Sequence, residues 1–528
     1  MSEFSDPLRP ADKGSMAFTI LVCLVATFGG LLFGYDTAVI SGAIGFMNSH
    51  FQFTANQTAW ATSSALFGCA IGAIFAGTMS DRIGRKKVLI ISAVLFLISA
   101  IGSAIPKELT EFLLTGYPLF GEQYRLGLSD ASVFPLFIDY RILGGLGVGA
   151  AAMTSPMYIA EIAPARMRGR LVSLNQFTII FGMLVVYFVN YFIAGGSLDK
   201  IWQTFEGFFG AASAPALAAT NPSATAGAES WNQAFGWRWM FGSEAIPASL
   251  LFLLMLFVPE TPRFLAAKGK KAKAMAILTR INGRMEAERE MAEIEQAISQ
   301  ESGHLRMLFR PGIRVALVIG IALAVLQQVT GINVFLYYAP EIFKKLGKGA
   351  GTDVALLQTV IVGAVNLLFT VIAIYTVDKI GRKPLMIVGS VGMGICLAAM
   401  GMVAYYQSTG VWVLACVLGY IACFALSVGP VTWVILSEMF PTRIRGRALA
   451  IATACLWIAN LVVTYTFALM DRPNPDGTEN YLVRTFHHGF PFFLYAAFCL
   501  VNIILVWKCV PETKGKTLEK IEEHWMRR

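Results

Sequence analysis

The sequence predicts an all-α membrane protein of twelve transmembrane helices, arranged as two six-helix halves with short cytoplasmic helices between them. Three observations carry that expectation. Of the 528 residues, 56% are hydrophobic and only 14% are charged, whereas soluble proteins are about a quarter charged. Twelve apolar runs follow one another, many reaching the ~20 residues that a helix needs to cross a bilayer. Motifs of the first half return, in the same order, in the second.

The runs fall at 16–40, 61–79, 88–105, 133–153, 174–194, 239–258, 315–337, 356–377, 384–405, 411–436, 448–470 and 489–507. They divide the chain into an N-terminal tail (1–15), a first half (16–258), a linker (259–314), a second half (315–507) and a C-terminal tail (508–528). The first run is too long for a signal-peptide core, has no small-residue cleavage site and carries Asp36, so it reads as a retained span.

Basic clusters follow every even-numbered run: for example Arg85, Lys86 and Lys87; Arg166, Arg168 and Arg170; Lys268, Lys270 and Lys271; Arg382 and Lys383; Arg443, Arg445 and Arg447; Lys514 and Lys516. Lysine and arginine concentrate on the cytoplasmic side of membrane proteins. Both termini are therefore expected in the cytoplasm, with the chain in the cell (inner) membrane. The net charge of +9 then reports topology, not nucleic-acid binding.

The connecting segments are legible too. Residues 264–310, rich in Lys, Glu, Ala and Arg with apolar residues at helical spacing, predict short cytoplasmic helices. Residues 195–237 read as a long outer loop whose Ala/Ser/Gly/Pro stretch lacks the apolar mass to pack. All eight cysteines lie in or beside apolar runs, without a disulfide framework or a metal-binding pair. No nucleophile–base set, metal cluster or cofactor motif emerges, so no catalytic residue, metal or cofactor is expected. Gly144-Gly-Leu-Gly-Val-Gly149 mimics a nucleotide loop but has no preceding strand. Gly515-Lys-Thr517 mimics the end of an ATP loop, yet the required earlier glycine is Val510. Asn56-Gln-Thr58 is a glycosylation sequon on the expected outer side.

The repeats are specific. Asp81-Arg-Ile-Gly-Arg-Lys after the second run returns as Asp378-Lys-Ile-Gly-Arg-Lys after the eighth. Glu161-Ile-Ala-Pro-Ala-Arg-Met-Arg-Gly-Arg after the fourth returns as Glu438-Met-Phe-Pro-Thr-Arg-Ile-Arg-Gly-Arg after the tenth, and Pro259-Glu-Thr after the sixth as Pro511-Glu-Thr after the twelfth. Transporters built from such repeats hold their substrate near mid-membrane between them. Topology explains the basic residues but not the acids beside them. Asp81, Arg85, Glu161, Arg168, Glu260, Arg263, Asp378, Arg382, Glu438 and Arg445 are therefore candidates for a cytoplasmic gate, whose pairs would close the inner side if they bridge the halves. Exposed ion pairs are individually weak, about 0–1 kcal/mol, which suits a latch that must release.

Charge inside the membrane is the strongest functional pointer, since a centred charge costs about 2.5–3.5 kcal/mol even on the insertion scale. Asp36, Asp139, Arg141 and Glu244 lie inside the runs, all in the first half. Asp36 and Arg141 belong to helices of opposite direction and fall at similar depth. Separating such a pair away from water invites a proton onto the acid; the competing reading is a static ion pair. Asp139, two positions from Arg141, faces away from it and either lines an outer vestibule or marks an earlier helix start.

With Pro259-Glu-Thr-Pro-Arg263 and Gln327-Gln-Val-Thr-Gly-Ile-Asn333, these motifs resemble the sugar-porter branch of the major facilitator superfamily, over nearly the whole chain. Gly34-Tyr-Asp-Thr-Ala-Val-Ile-Ser41, Tyr140-Arg-Ile-Leu-Gly-Gly145 and Gly429-Pro-Val-Thr-Trp433 are similar to the bacterial D-xylose:proton symporters within it. The resemblance implies the major facilitator fold, alternating access around a central site, and a proton-coupling role for Asp36, its partner Arg141, and Glu244. Passive glucose facilitators of the family carry a neutral residue in place of Asp36.

Sugar hydroxyls both donate and accept, as do Gln and Asn side chains, and a pyranose C–H face packs on an aromatic ring. Gln327, Gln328 and Asn333, with Tyr337 one turn on, lie in the seventh run; Gln176, Asn366, Trp433 and Trp457 lie in four others. A single intramembrane amide is as readily interhelical glue, worth about 0.6–2 kcal/mol, but the Gln-Gln pair with Asn333 points to a ligand. The resemblance places Gln176, Gln327, Gln328, Asn333 and Trp433 on sugar contacts, with Phe33, Tyr337, Phe424 and Trp457 as aromatic walls. Where the xylose symporters have glutamines, this chain has Met183 and Leu456, which implies a pocket with fewer amides. The expected partners are a monosaccharide such as D-xylose or D-glucose, a proton and the lipid bilayer, with the chain acting as a monomer. A passive facilitator and a non-transporting sugar sensor stand as alternatives to a proton symporter.

Overall fold

The computed structural model describes residues 14–115, 132–164, 167–195, 231–300, 311–346, 351–408, 410–440, 445–471, 480–512 and 514. Among them, twelve helices are long and apolar enough to cross a membrane. They are α1 (Met16–Phe51), α2 (Ala55–Ile83), α3 (Arg85–Ala104), α4 (Val133–Ile162), α5 (Arg168–Ile193) and α6 (Asn232–Phe257) in the first half. The second half holds α7 (Gly312–Leu346), α8 (Thr352–Val377), α9 (Arg382–Tyr405), α10 (Val411–Leu436), α11 (Gly446–Met470) and α12 (Phe490–Cys509). Large apolar side chains such as Phe75, Ile246, Phe257, Val388 and Trp507 are exposed. A soluble surface would seldom carry so many; a lipid-facing one requires them.

Several helices outrun the apolar segments that announce them. The first run ends at 40, yet α1 continues to Phe51, and α7 continues through Tyr338, Glu341 and Lys344 to Leu346. A helix satisfies its own backbone, so it persists into the interfacial zone where polar side chains are tolerated. The sixth span starts at Asn232, so the tail of the expected 195–237 loop is helical; residues 196–230 of that loop lie outside the described residues. Its helix is interrupted between Gly242 and Ala245, at Ser243 and Glu244. A similar break at Thr330 and Gly331 divides α7.

Each half closes through small residues. Helix α2 packs along α4, and α1 along α5. At the first crossing Gly68 faces the Ile142 carbonyl and Gly145 the Ala65 carbonyl so closely that a Cβ on Gly145 would sit 1.9 Å from that oxygen. Between the halves, α2 packs on α11 and α5 on α8. Linker helices Pro262–Ala267, Lys271–Asn282 and Arg284–Gln300 follow α6. The Ser15 amide donates to the Arg280 carbonyl at 2.8 Å, and the Arg280 guanidinium lies 3.8 Å over the Phe18 ring, which ties the linker to the start of α1.

The repeated motifs build the same corner twice. Gly84 (φ 101°) joins α2 to α3 and Gly381 (φ 106°) joins α8 to α9, a backbone region open to glycine. In the first corner the Glu260 carboxylate accepts from the backbone N–H groups of Arg85, Lys86 and Thr261 at 2.9–3.1 Å. In the second, Glu512 accepts from those of Arg382 and Lys383 at 3.2 and 3.0 Å. A carboxylate at a helix N-terminus satisfies orphan donors and opposes the helix dipole.

Because α2 and α4 touch backbone to backbone, Gly145→Val should lower stability by about 1–3 kcal/mol or more, seen as a lower melting temperature of the detergent-solubilised protein. An unchanged melting temperature would mean that this contact is not tight.

Candidate functional site

A cavity of about 3200 Å³ runs between the two halves, from mid-membrane to the face that carries the basic clusters. At the opposite face the halves meet. Thr62 on α2 hydrogen-bonds the Tyr338 hydroxyl on α7. The Tyr465 hydroxyl on α11 donates to Asn56 Oδ1 at 3.2 Å, while Trp60 stands edge-on to Tyr465 at 5.7 Å. Tyr187 on α5 donates to the Leu336 carbonyl at 2.8 Å. The protein is thus closed at one end and open at the other.

The sequence-predicted ligand residues meet at the closed end of this cavity. Phe33, Gln176, Met183, Gln327, Gln328, Asn333, Tyr337, Asn366, Phe424, Trp433, Leu456 and Trp457 all line it. The break in α7 positions the central amides. Gln327 donates through Nε2 to the Val428 and Gly429 carbonyls at 3.2 and 2.9 Å, where α10 is itself interrupted. Gln328 donates to Gln327 Oε1 at 3.4 Å, and Asn333 Nδ2 to Gln328 Oε1 at 2.5 Å. The three amides form one chain, oriented from one end by backbone. Phe33 and Trp457, from opposite halves, tilt against each other with centroids 5.4 Å apart, and the Trp457 indole N–H has no acceptor among the described residues. Met183 and Leu456 present apolar surface to the same space.

Sequence reasoning missed Asn460. It lines the cavity three residues after Trp457, beside Tyr337, and accepts from the Thr464 hydroxyl at 3.1 Å. The i, i+3 spacing from Trp457 was the available signal. Asn175 is likewise a cavity residue, held by Ser155 at 2.9 Å.

A second cluster lies in the first half. Arg141 donates to Asp36 Oδ1 at 2.5 Å and to the Asp36 carbonyl at 3.1 Å, and its guanidinium lies 5.3 Å from the centre of the Phe241 ring. Both side chains are sealed, with exposures of 0% and 1%. Glu244, at the break in α6, is buried beside both. Neither of its carboxyl oxygens, nor Asp36 Oδ2, meets a donor among the described residues. Two carboxyls therefore lie beside one guanidinium that bonds Asp36 alone, so the sealed cluster holds more acid than base. Tyr337, from the cavity, lies within electrostatic reach of this cluster. Asp139 is exposed, pointing away from Arg141, and it sits inside α4, which begins at Val133.

With the mouth open, a state in which pairs bridging the halves would already be broken, the candidate gate residues pair locally. Arg85 pairs with Asp81 and with Glu161, each at 3.1 Å, and Arg263 faces Glu161. Arg382 pairs with Glu438 at 3.0 Å. Each cluster lies within its own half, because the corner motifs bring their partners together locally and the open mouth holds the halves apart. Arg168 reaches Glu290 of the linker at 3.8 Å. Burial among linker residues pushes the Glu290 carboxyl up, against the lowering effect of Arg168 and Asn282. The side chains of Asp378 and Arg445 lie outside the described set. No group of three or more metal-binding side chains occurs among the described residues.

Removing one member of the sealed pair should be severe. Arg141→Met is expected to lose about 3–5 kcal/mol, because it strands the Asp36 carboxylate. Adding Asp36→Asn should restore most of that loss. Thermal melting of the two single variants and the double variant checks this cycle, and additive losses would show the pair to be uncoupled.

Three comparisons bear on this geometry. Residues 22–525 match the family model described as "Sugar (and other) transporter". Among curated proteins, the chain is 45% identical to the D-xylose-proton symporter of Escherichia coli (strain K12), with 96% of each chain covered. It is 36% identical to the glucose facilitated diffusion protein of Zymomonas mobilis, covering 98% of this chain and 99% of that one. Among solved structures, it superposes on the xylose transporter XylE from E. coli in a partially occluded inward open conformation, with a TM-score of 0.76 and 43% identity over 95% of this chain and 100% of that chain.

Proposed function

Because this chain belongs to the sugar (and other) transporter family, we propose that it carries a monosaccharide together with a proton by alternating access. It is a multi-pass membrane protein with the major facilitator fold, and a transporter, not an enzyme. The observation that carries the coupled reading is the sealed Asp36–Arg141 pair with Glu244 beside it. A charge set so costly to bury is seldom merely structural.

The mechanism follows from the two clusters. The amides of Gln176, Gln327, Gln328, Asn333 and Asn366 bind the sugar hydroxyls, and Trp433, Trp457 and Phe33 bind its C–H faces. A proton on the acidic set weakens the hold of Arg141 on Asp36, releasing α1 from α4 and permitting the change of access. Tyr337, near both clusters, couples them. The open mouth faces the cytoplasm, as the basic clusters imply, with both termini on that side of the inner membrane. The ion-pair clusters around Arg85 and Arg382 hold the inner ends of each half as rigid bodies, and the gate acts by moving those bodies. The protein works as a monomer on D-xylose or a related pentose or hexose, and Met183 and Leu456, in place of the xylose symporters' glutamines, give its sugar fewer amide contacts than theirs. Passive facilitation is the second reading, favoured by the likeness to the facilitated diffusion protein.

Uptake of D-xylose and D-glucose into proteoliposomes, with and without an inward proton gradient, separates these readings. The wild type should accumulate sugar only with the gradient, while Asp36→Asn should equilibrate sugar without accumulating it. Equilibration by both, regardless of gradient, would make the protein a facilitator. Gln328→Ala removes one amide hydrogen bond and should weaken apparent sugar affinity about tenfold, read as a higher KM in the same vesicles; an unchanged KM would remove Gln328 from the site.

A further inference from the structure

The cavity is larger than its amide-lined end requires. It holds about 3200 Å³, whereas ordinary small-molecule sites occupy roughly 300–1,000 Å³. The surplus lies at the mouth, where Arg170 from α5, Arg263 and Lys268 from the linker and Arg447 from α11 line the opening. Cations from both halves and from the linker thus face one aqueous space. Arg170 and Arg447 occupy matching positions in the repeated Arg-Gly-Arg segments. Topology alone requires cations on this face, but not along the wall of a re-entrant opening.

The neighbouring acids have partners other than Arg170 and Lys268. Asp81 and Glu161 line the mouth, but both hold Arg85, and Glu161 also faces Arg263. Glu438 holds Arg382, while Glu260 and Glu512 accept backbone donors. Among the described residues, Arg170 and Lys268 have no carboxylate partner, and Lys268 rests 5.5 Å over the Phe264 ring. Guanidinium groups match phosphate oxygens in bidentate fashion.

We propose that this mouth binds a small multivalent organic phosphate, of the class of phosphorylated sugars, and that its occupant holds the transporter open on this side. An anion that contacts Arg170 of one half and Arg447 of the other needs both at the same opening. It therefore binds the open state more tightly than the closed one and shifts the equilibrium by that difference. Phosphoryl transfer to an imported sugar yields such an anion, so the site would slow entry as product accumulates. That last role rests on the sugar transport proposed above; the binding itself does not.

The test uses the purified full-length chain, with inorganic pyrophosphate and glucose 6-phosphate as probes and melting temperature as the binding readout. Both probes should stabilise the wild type, and Arg170→Gln/Lys268→Gln should bind them about tenfold more weakly or worse. Arg447→Gln, on the other half, should weaken binding independently. In vesicles loaded with either probe, sugar uptake should slow several-fold for the wild type and not for the double variant, whose uptake without phosphate stays unchanged. Absence of pyrophosphate binding by the wild type would overturn the proposal, as would equal binding by the variants. Binding of glucose 6-phosphate without pyrophosphate would place the ligand on the amides instead. Loss of pyrophosphate binding in phosphatidylglycerol vesicles, but not in phosphatidylcholine, would assign these cations to a lipid headgroup. A sugar-uptake failure with phosphate binding intact would count against the transport reading and leave this site standing.

Discussion

A bilayer offers no water to the backbone, and the structure follows from that constraint. Each N–H and C=O in the hydrocarbon must find its partner within its own segment, which makes the spanning elements helices. Helices that satisfy themselves have little hydrophobic reason to associate in lipid, so close approach must come from small residues. The Gly68–Gly145 crossing shows this, with α2 and α4 in backbone contact. The places where helices break, at Ser243–Glu244 and at Thr330–Gly331, occur where the freed backbone and polar side chains face a buried cluster or an aqueous cavity rather than lipid.

Those breaks locate the chemistry. The interruption in α7 directs the Gln327–Gln328–Asn333 amides inward and anchors them on the carbonyls of the interrupted α10. The interruption in α6 leaves Glu244 sealed beside Asp36 and Arg141. Tyr337 stands near both. The charged cluster and the amide cluster therefore occupy separate cells of one interior, joined through a side chain on a helix segment that also closes the far end through Tyr338. An arrangement of this kind links occupancy of one cell to the geometry of the other without requiring contact between them.

The ion pairs at the open face repeat one local arrangement. Each corner is complete within its half: a glycine turn, a carboxylate capping the next helix, and an arginine held by acids of neighbouring segments. Each half thus carries its own corner, and the halves meet along the α2–α11 and α5–α8 contacts. Duplication of the motif thus reads as duplication of a mechanical part.

Hydropathy, the three paired motifs and the intramembrane charges determined most of the architecture by themselves, because membrane insertion reads composition over a local window. The Gln327–Asn333 segment was legible as one that faces the interior for a related reason: polar groups are too costly in lipid to be incidental. Local information could not place Asn460, whose relevance depends on which face of α11 meets the cavity. Nor could it show whether the acids and arginines of the corners pair within a half or across, since both arrangements have the same sequence. Helix ends beyond the apolar runs were hidden as well, because the interface tolerates polar residues that hydropathy scores against. The sealing of Glu244 beside an already paired Asp36, and the gathering of cations from three segments around one opening, were decided only by tertiary packing, which alone brings residues a hundred or more positions apart into one electrostatic environment.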